Sequence, residues 1–161
     1  MSQLRVRDLM TTQVITVKPT DTVRHAVIRM AIDNVSGAPV VDNRNHVLGI
    51  LSQNDILKLI LKKQQELDAG TSGLHLLDNP LDSANTEADI IEKAKQEISD
   101  MKVEDLMVRS TLCTTPDAEI MEALKAMMKM DVGRLPVLEQ GVLVGTVSRS
   151  DIIFYIYKKK I

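Results

Sequence analysis

The stretch Gly145-Thr146-Val147-Ser148-Arg149-Ser150-Asp151 decides the fold, because its pattern stands in the chain twice. Gly49-Ile50-Leu51-Ser52-Gln53-Asn54-Asp55 has the same order: glycine, two strand-forming residues, serine, two polar residues, aspartate. The two stretches lie 96 positions apart. Upstream the match persists at a spacing of 97, with Asp8-Leu9-Met10 against Asp105-Leu106-Met107 and Pro19 against Pro116. Ala26 faces Ala123, and Pro39-Val40-Val41-Asp42 faces Pro136-Val137-Leu138-Glu139. The spacing changes where Asn43-Arg44-Asn45-His46 meets the shorter Gln140-Gly141, a polar turn in which a length difference is tolerated. The chain is an internal duplication. Two copies are too few for a solenoid and suit a pseudo-two-fold pair.

The 161 residues allow one domain, or two small ones packed intimately. A copy of about sixty residues buries little surface alone and is marginal unless it packs on a partner. Apolar residues at 44% and charged residues at 26% fit a soluble globular protein. Aromatics at 2%, with no tryptophan, leave an aliphatic and methionine core and argue against base-stacking recognition of single-stranded nucleic acid. A net charge of −2 gives no electrostatic footprint for DNA or an acidic membrane. The single cysteine, Cys113, excludes an internal disulfide, fits a reducing cytosol and reads as a small hydrophobe in a strand. No apolar run has the length of a signal peptide core or a membrane span, so the expected location is cytoplasmic.

Each copy reads as a short helix followed by β-α-β-β-α. Val14–Val17 is β-branched and stops at Lys18-Pro19. Thr20 or Asp21 then caps a helix whose apolar positions Val23, Ala26, Val27 and Met30 follow helical spacing. Asn34 to Gly37 ends it; Ala38–Val41 and Val47–Leu51 form a hairpin about the turn Asp42–His46. A helix follows from Asp55 to about Glu66, with Ile56, Leu59 and Ile60 on one face. The second copy repeats this with Thr111–Thr114, a helix Asp117–Met130, Leu135–Leu138, Val142–Val147 and a helix Asp151–Lys158. Ile120, Ala123, Leu124, Met127 and Met128 form a stripe that reads as core, with methionine filling gaps that aromatics would otherwise occupy. Lys158-Lys159-Lys160 reads as the cationic end of a helix, where it meets the negative pole of the macrodipole.

The duplication divides the chain into a repeat at 1–66, an insertion at 67–100 and a second repeat at 101–161. Within the insertion, Asp68–Gly73 is flexible by composition and Pro80–Asn85 is turn-like. A helix is expected over 86–99, with Ile90, Ile91, Ala94 and Ile98 as its apolar face.

Ser-x-x-Asp between a strand and a helix has an immediate structural explanation. The serine caps a first-turn N–H, and the acid answers the positive helix end. More than capping is indicated because both copies place a glycine three residues before the serine, and both carry a Gly/Arg-x-Pro-apolar-apolar-acid strand. No metal-ligand spacing or nucleophile–histidine–acid pattern is legible; His25, His46 and His75 lie far apart in sequence. Catalysis is not expected.

This combination resembles the tandem CBS-domain module, the regulatory pair named after cystathionine β-synthase. The resemblance covers nearly everything except residues 67–100. It implies an α/β (α+β) fold in which two CBS repeats pack by their sheets across a pseudo-two-fold axis and leave two clefts. Such clefts take adenosyl ligands: AMP, ADP, ATP, S-adenosylmethionine or dinucleotides. The motif aspartate accepts from the ribose hydroxyls and the serine contacts ribose or phosphate, positions matched here by Asp55, Ser52, Asp151 and Ser148. The adenine-contacting positions map to Val35, Ser36, Gly37 and Ala38, and to Val132, Gly133, Arg134 and Leu135, with Lys18 and Thr115 before the earlier prolines. Basic residues that neutralise phosphate in such modules fall on Arg134 and Arg149 in the second copy, but on Gly37 and Gln53 in the first. The expected function is ligand sensing: an adenosyl compound binds between the repeats and a separate target protein reads the change, with no required cofactor. A homodimer is also implied, through helices carrying Ile56, Leu59 and Ile60, and Ile152, Ile153 and Ile156. The alternative is a ligand-free pair serving as an assembly scaffold.

Overall fold

The computed structural model describes residues 3–70, 73–77, 86–109 and 112–158. Thr111, the expected turn at Pro80–Asn85 and Lys159-Lys160 lie outside them. The first repeat contains α1 (Val6–Leu9), α2 (Val23–Ile32), β1 (Gly37–Val41), β2 (Val47–Ser52) and α3 (Gln53–Gly70). Next come α4 (Thr86–Asp100) and a 3-10 turn at Val103–Asp105. The second repeat continues with α5 (Ile120–Met130), β3 (Arg134–Glu139), β4 (Val142–Ser148) and α6 (Arg149–Lys158). This is the mixed α/β architecture that the duplication implies. Antiparallel β1–β2 sets Gly37 opposite Ser52, and β3–β4 sets Arg134 opposite Ser148. Both hairpins carry an irregularity at the same repeat position, between Val40 and Val41 and between Val137 and Leu138.

The first expected strand of each copy contracts to a single parallel bridge. Val17 donates to the Pro39 carbonyl (3.1 Å) and accepts from Val41 N–H (2.9 Å), and Thr114 does the same with Pro136 and Leu138 (3.0 and 2.9 Å). Extending the ladder back to Ile15 or Leu112 would need an N–H from Pro39 or Pro136, and extending it forward would need one from Pro19 or Pro116. Proline has none. The β-branched composition of Val14–Val17 therefore reports burial, not a ladder.

The short helices are exchanged between repeats. Val6 of α1 is completely buried in the second core, with Ile120, Ala123, Met127, Leu135, Val137 and Val147. Its counterpart Val103 is completely buried in the first core, with Val17, Ala26, Met30, Ala38, Val40 and Leu51. Matching hydrogen bonds fix both docks: Val6 N–H to Ala118 O (2.9 Å) and Ile120 N–H to Leu4 O (3.0 Å), against Val103 N–H to Asp21 O and Val23 N–H to Met101 O (both 2.8 Å). A four-residue helix is not stable by propensity. Burying a valine, worth about 1.5–3 kcal/mol, holds it.

The exchange also moves the helix starts. Asp21 carbonyl and Val23 N–H are used by the docked segment, so α2 begins at Val23 with Thr22 as its cap, accepting from His25 N–H (3.1 Å). Neither Thr20 nor Asp21 caps it; the Asp21 carboxylate closes the preceding turn on Lys18 N–H (2.7 Å). For the same reason α5 starts at Ile120 and not at Asp117. Within α5, Ile120, Ala123 and Met127 are buried, whereas Met128 is 63% exposed, one step of about 100° round the helix from Met127.

A second exchange closes each sheet edge. Ile50 of β2 pairs with Val108 through two 2.9 Å bonds, and Thr146 of β4 pairs with Thr11 at 2.8 and 2.9 Å. The motif glycines stand here. A Cβ on Gly49 would lie 2.5 Å from the Val108 carbonyl oxygen, and one on Gly145 would lie 2.8 Å from that of Thr11.

The insertion breaks the symmetry. Helix α4 packs on α2 and α3 with Ala88, Ile91 and Ala94 buried, while α6 buries no residue and exposes Ile153, Phe154, Ile156 and Tyr157. Ile90 and Ile98, at the margins of the expected α4 face, are half-buried. Lys63 on α3 donates to Glu97 on α4 (2.7 Å) and also contacts Glu66 (3.3 Å). The Lys63 ammonium holds the Glu97 carboxyl below its ordinary value, and Glu97 raises Lys63. A lowered acid contributes stability above its unfolded value and loses it as pH falls through the folded one; the raised lysine contributes below its unfolded value and loses it as pH rises through the folded one. The α3–α4 tie is therefore complete between the ordinary values of 4.5 and 10.5. Acidification below that window should speed amide exchange in α4, corrected for intrinsic pH dependence, more than in β1–β4. The change should be small, since the Glu97 side chain is half exposed to solvent. Equal acceleration in α4 and the strands would contradict it.

Candidate ligand-binding clefts

Each Ser-x-x-Asp lies where a hairpin passes into a helix. In the first repeat the Asp55 carboxylate accepts, through Oδ2, from both the N–H and the hydroxyl of Ser52 (2.9 Å each), and Asp55 N–H returns a 3.3 Å bond to Ser52 Oγ. In the second, Asp151 Oδ2 accepts from Ser148 N–H (2.9 Å), and Asp151 N–H donates to Ser148 Oγ (3.1 Å). The capping explanation is thus realised in both copies. The two aspartates differ at their other oxygen. Thr11 Oγ1 donates to Asp151 Oδ1 at 3.2 Å. Val108 occupies the corresponding place in the other half and has no hydroxyl, so Asp55 Oδ1 has no hydrogen-bond partner among the described residues.

Two clefts open beside these helix starts. The first, of about 670 Å³, gathers Ser36, Gly37, Ser52 and Asp55 from one repeat and Val132, Gly133, Arg134, Ser148 and Arg149 from the other. The second, of about 720 Å³, contains Val35, Arg134, Ser148 and Asp151. The motif aspartate that shares a cleft with both Arg134 and Arg149 is Asp55. Arg149 is paired with Asp131 (2.9 Å), whose left-handed backbone (φ 52°) ends α5. Arg134 is half-buried and makes no side-chain hydrogen bond or ion pair among the described residues.

Lys18 and Thr115 line neither cleft. Both lie past the parallel bridge, whereas the clefts open at the start of β1 and β3; Lys18 Nζ instead bonds the Asp42 carbonyl at 3.0 Å. The cleft walls contain residues that sequence patterns did not indicate: Val108, Leu112 and Asp131 in the first, and Thr11–Ile15, Arg29 and Asp33 in the second. Ile15 and Leu112 enter the walls through a pairing that the fold supplies. Parallel pairing of Val17 with Val40, and of Thr114 with Val137, sets them beside the first residues of β1 and β3. No group of three or more metal-ligating side chains occurs among the described residues, and none of the described helices is long and apolar enough to cross a membrane.

The CBS domain family model matches residues 6–62 and 103–158. The chain belongs to the CBS-domain family. It is 34% identical over 151 residues to the "Uncharacterized protein MJ1426" of Methanocaldococcus jannaschii, covering 92% of this chain and 88% of that one. Several other relatives are longer, and this CBS pair spans less than half their length. Among solved structures it superposes on CBSX2 in complex with AMP with a TM-score of 0.70, 24% identity and 98% coverage of each chain. It superposes on the CBS domain pair of protein MJ0100, in complex with 5′-methylthioadenosine and S-adenosyl-L-methionine, with a TM-score of 0.66 and 18% identity, covering 98% of this chain and 99% of that one. At these identities the likeness establishes the fold.

Proposed function

We propose that this CBS pair is a regulatory ligand-sensing module that binds an adenosyl compound between its repeats and signals to a separate protein. The observation that carries it is the Asp55 carboxylate, held at a helix N-terminus with Oδ1 open, in one cleft with two arginines of the opposite repeat. A ribose diol offers two donors to such a carboxylate. A phosphate is suited to a helix N-terminus and guanidinium forks. The first cleft is assigned to a phosphorylated ligand, and the second to a less charged adenosyl compound. Solved relatives that hold AMP or S-adenosyl-L-methionine support the ligand class. The role read here is binding, since the motif carboxylates are engaged in capping helices. Coupling to a target requires that the ligand favour one of two states of the pair.

Mass spectrometry of small molecules released from the denatured protein, joined to a thermal shift with AMP and S-adenosylmethionine, tests the reading. Release of an adenosyl compound, or a rise in melting temperature, supports it. Neither result would leave the ligand-free scaffold, a reading favoured by the exposed apolar side chains of α5 and α6. Those side chains, including Met121, Met128, Ile153 and Phe154, also support a homodimer through helices. Light scattering at micromolar concentration should give twice the mass of one chain, and Phe154→Glu should give one. A monomeric parent would contradict the dimer.

A further inference from the structure

Arg134 stands between the two clefts and lines both. It is the first residue of β3, opposite Ser148 at the end of β4, and Ser148 also faces both spaces. The remaining cations nearby are already engaged. Arg149 is paired with Asp131 at 2.9 Å, and Arg29, in the second cleft, donates to the Thr16 carbonyl. The formal charges show what this means for anions. The first cleft has Arg134 and Arg149 against Asp55 and Asp131; the second has Arg29 and Arg134 against Asp33 and Asp151. Each is neutral only if Arg134 is assigned to it. Counted once, the two together hold three arginines against four aspartates.

We propose that Arg134 is a single anion-binding cation shared by the two clefts, so that a phosphorylated ligand in one suppresses binding of a second in the other. This rests on the adenosyl-binding reading and adds a rule of occupancy to it. A phosphate in the first cleft draws the guanidinium to itself and leaves the second net negative. A second phosphate would then meet uncompensated aspartates and a neighbouring anion, in partly buried surroundings where salt screens weakly. An uncharged adenosyl compound brings no charge for Arg134 to balance and can enter both clefts. Linkage makes the antagonism reciprocal.

Calorimetric titrations with AMP and with adenosine, on the parent and on Arg134→Met, test this. In the parent, AMP should fill one site per chain, with a second at least about tenfold weaker, while adenosine fills two sites without such a gap. In Arg134→Met, the tight AMP site should weaken about tenfold or more towards the weak one. Adenosine should lose much less affinity than AMP and still fill two sites, and an unchanged far-UV circular dichroism spectrum reports that the variant is folded. Two AMP sites of equal affinity in the parent would overturn the sharing and leave the adenosyl reading intact. So would an AMP gap that survives Arg134→Met, a gap equally wide for adenosine, or a single site for both compounds. No binding of either compound to the parent would overturn both.

Discussion

Gly49→Ala is expected to lower stability by about 1–3 kcal/mol, the cost of forcing a methyl group into a well-packed site. The added Cβ would lie 2.5 Å from the Val108 carbonyl oxygen and 3.2 Å from Met107 Sδ. A side chain could rotate away, but the Val108 backbone is held by its two bonds to Ile50. The strain therefore falls on the seam between the repeats. Gly145→Ala should behave alike and lose less, since its Cβ would lie 2.8 Å from the Thr11 carbonyl oxygen. Gly70, at the end of α3, has nothing within 4 Å of an added Cβ and serves as the control. Denaturant unfolding of the three variants should rank them with Gly49→Ala least stable and Gly70→Ala at or above the parent, since alanine favours a helix over glycine. A Gly49→Ala midpoint equal to the parent's would show that the seam yields freely.

Asp55→Ala should weaken adenosyl binding in the first cleft by about 1.5–3 kcal/mol, the value of hydrogen bonds to a charged group, or about ten- to a hundredfold in affinity. The same change removes the acceptor of Ser52 N–H, so a loss of about 1 kcal/mol of stability should accompany it. Calorimetry and thermal melting on one sample separate the two effects. A variant that melts lower but binds AMP as the parent does would confine Asp55 to capping α3.

The duplication was legible because identities such as Asp8-Leu9-Met10 and Asp105-Leu106-Met107 survive in register, and the hairpins because Val40–Val41 and Val137–Leu138 sit beside turn residues. The loss of the first strand was not. It depends on which N–H groups the neighbouring strand lacks, and so on a pairing that only the fold supplies. Nor could the pattern of α1 reveal that Val6 enters the opposite core, since an apolar residue on a four-residue helix is equally at home in either. The displaced starts of α2 and α5 follow from that exchange. In the clefts, the Ser-x-x-Asp pairs and Arg149 were legible as local motifs. The double exposure of Arg134 was not, because it depends on how residues of both repeats come together in two adjoining clefts.

The exchange of Val6 and Val103 also sets an order of assembly during synthesis. The first core is complete once Met107 has been made, so that half can close while most of the second is still unmade. The segment around Val6, made earlier, has no site until Ala118, Leu135 and Thr146 exist. Its docking closes a loop spanning most of the chain, the most entropically demanding contact in the molecule. The segment around Val6 is thus expected to dock only after the first core has closed, and its arrival joins the two repeats into one pair.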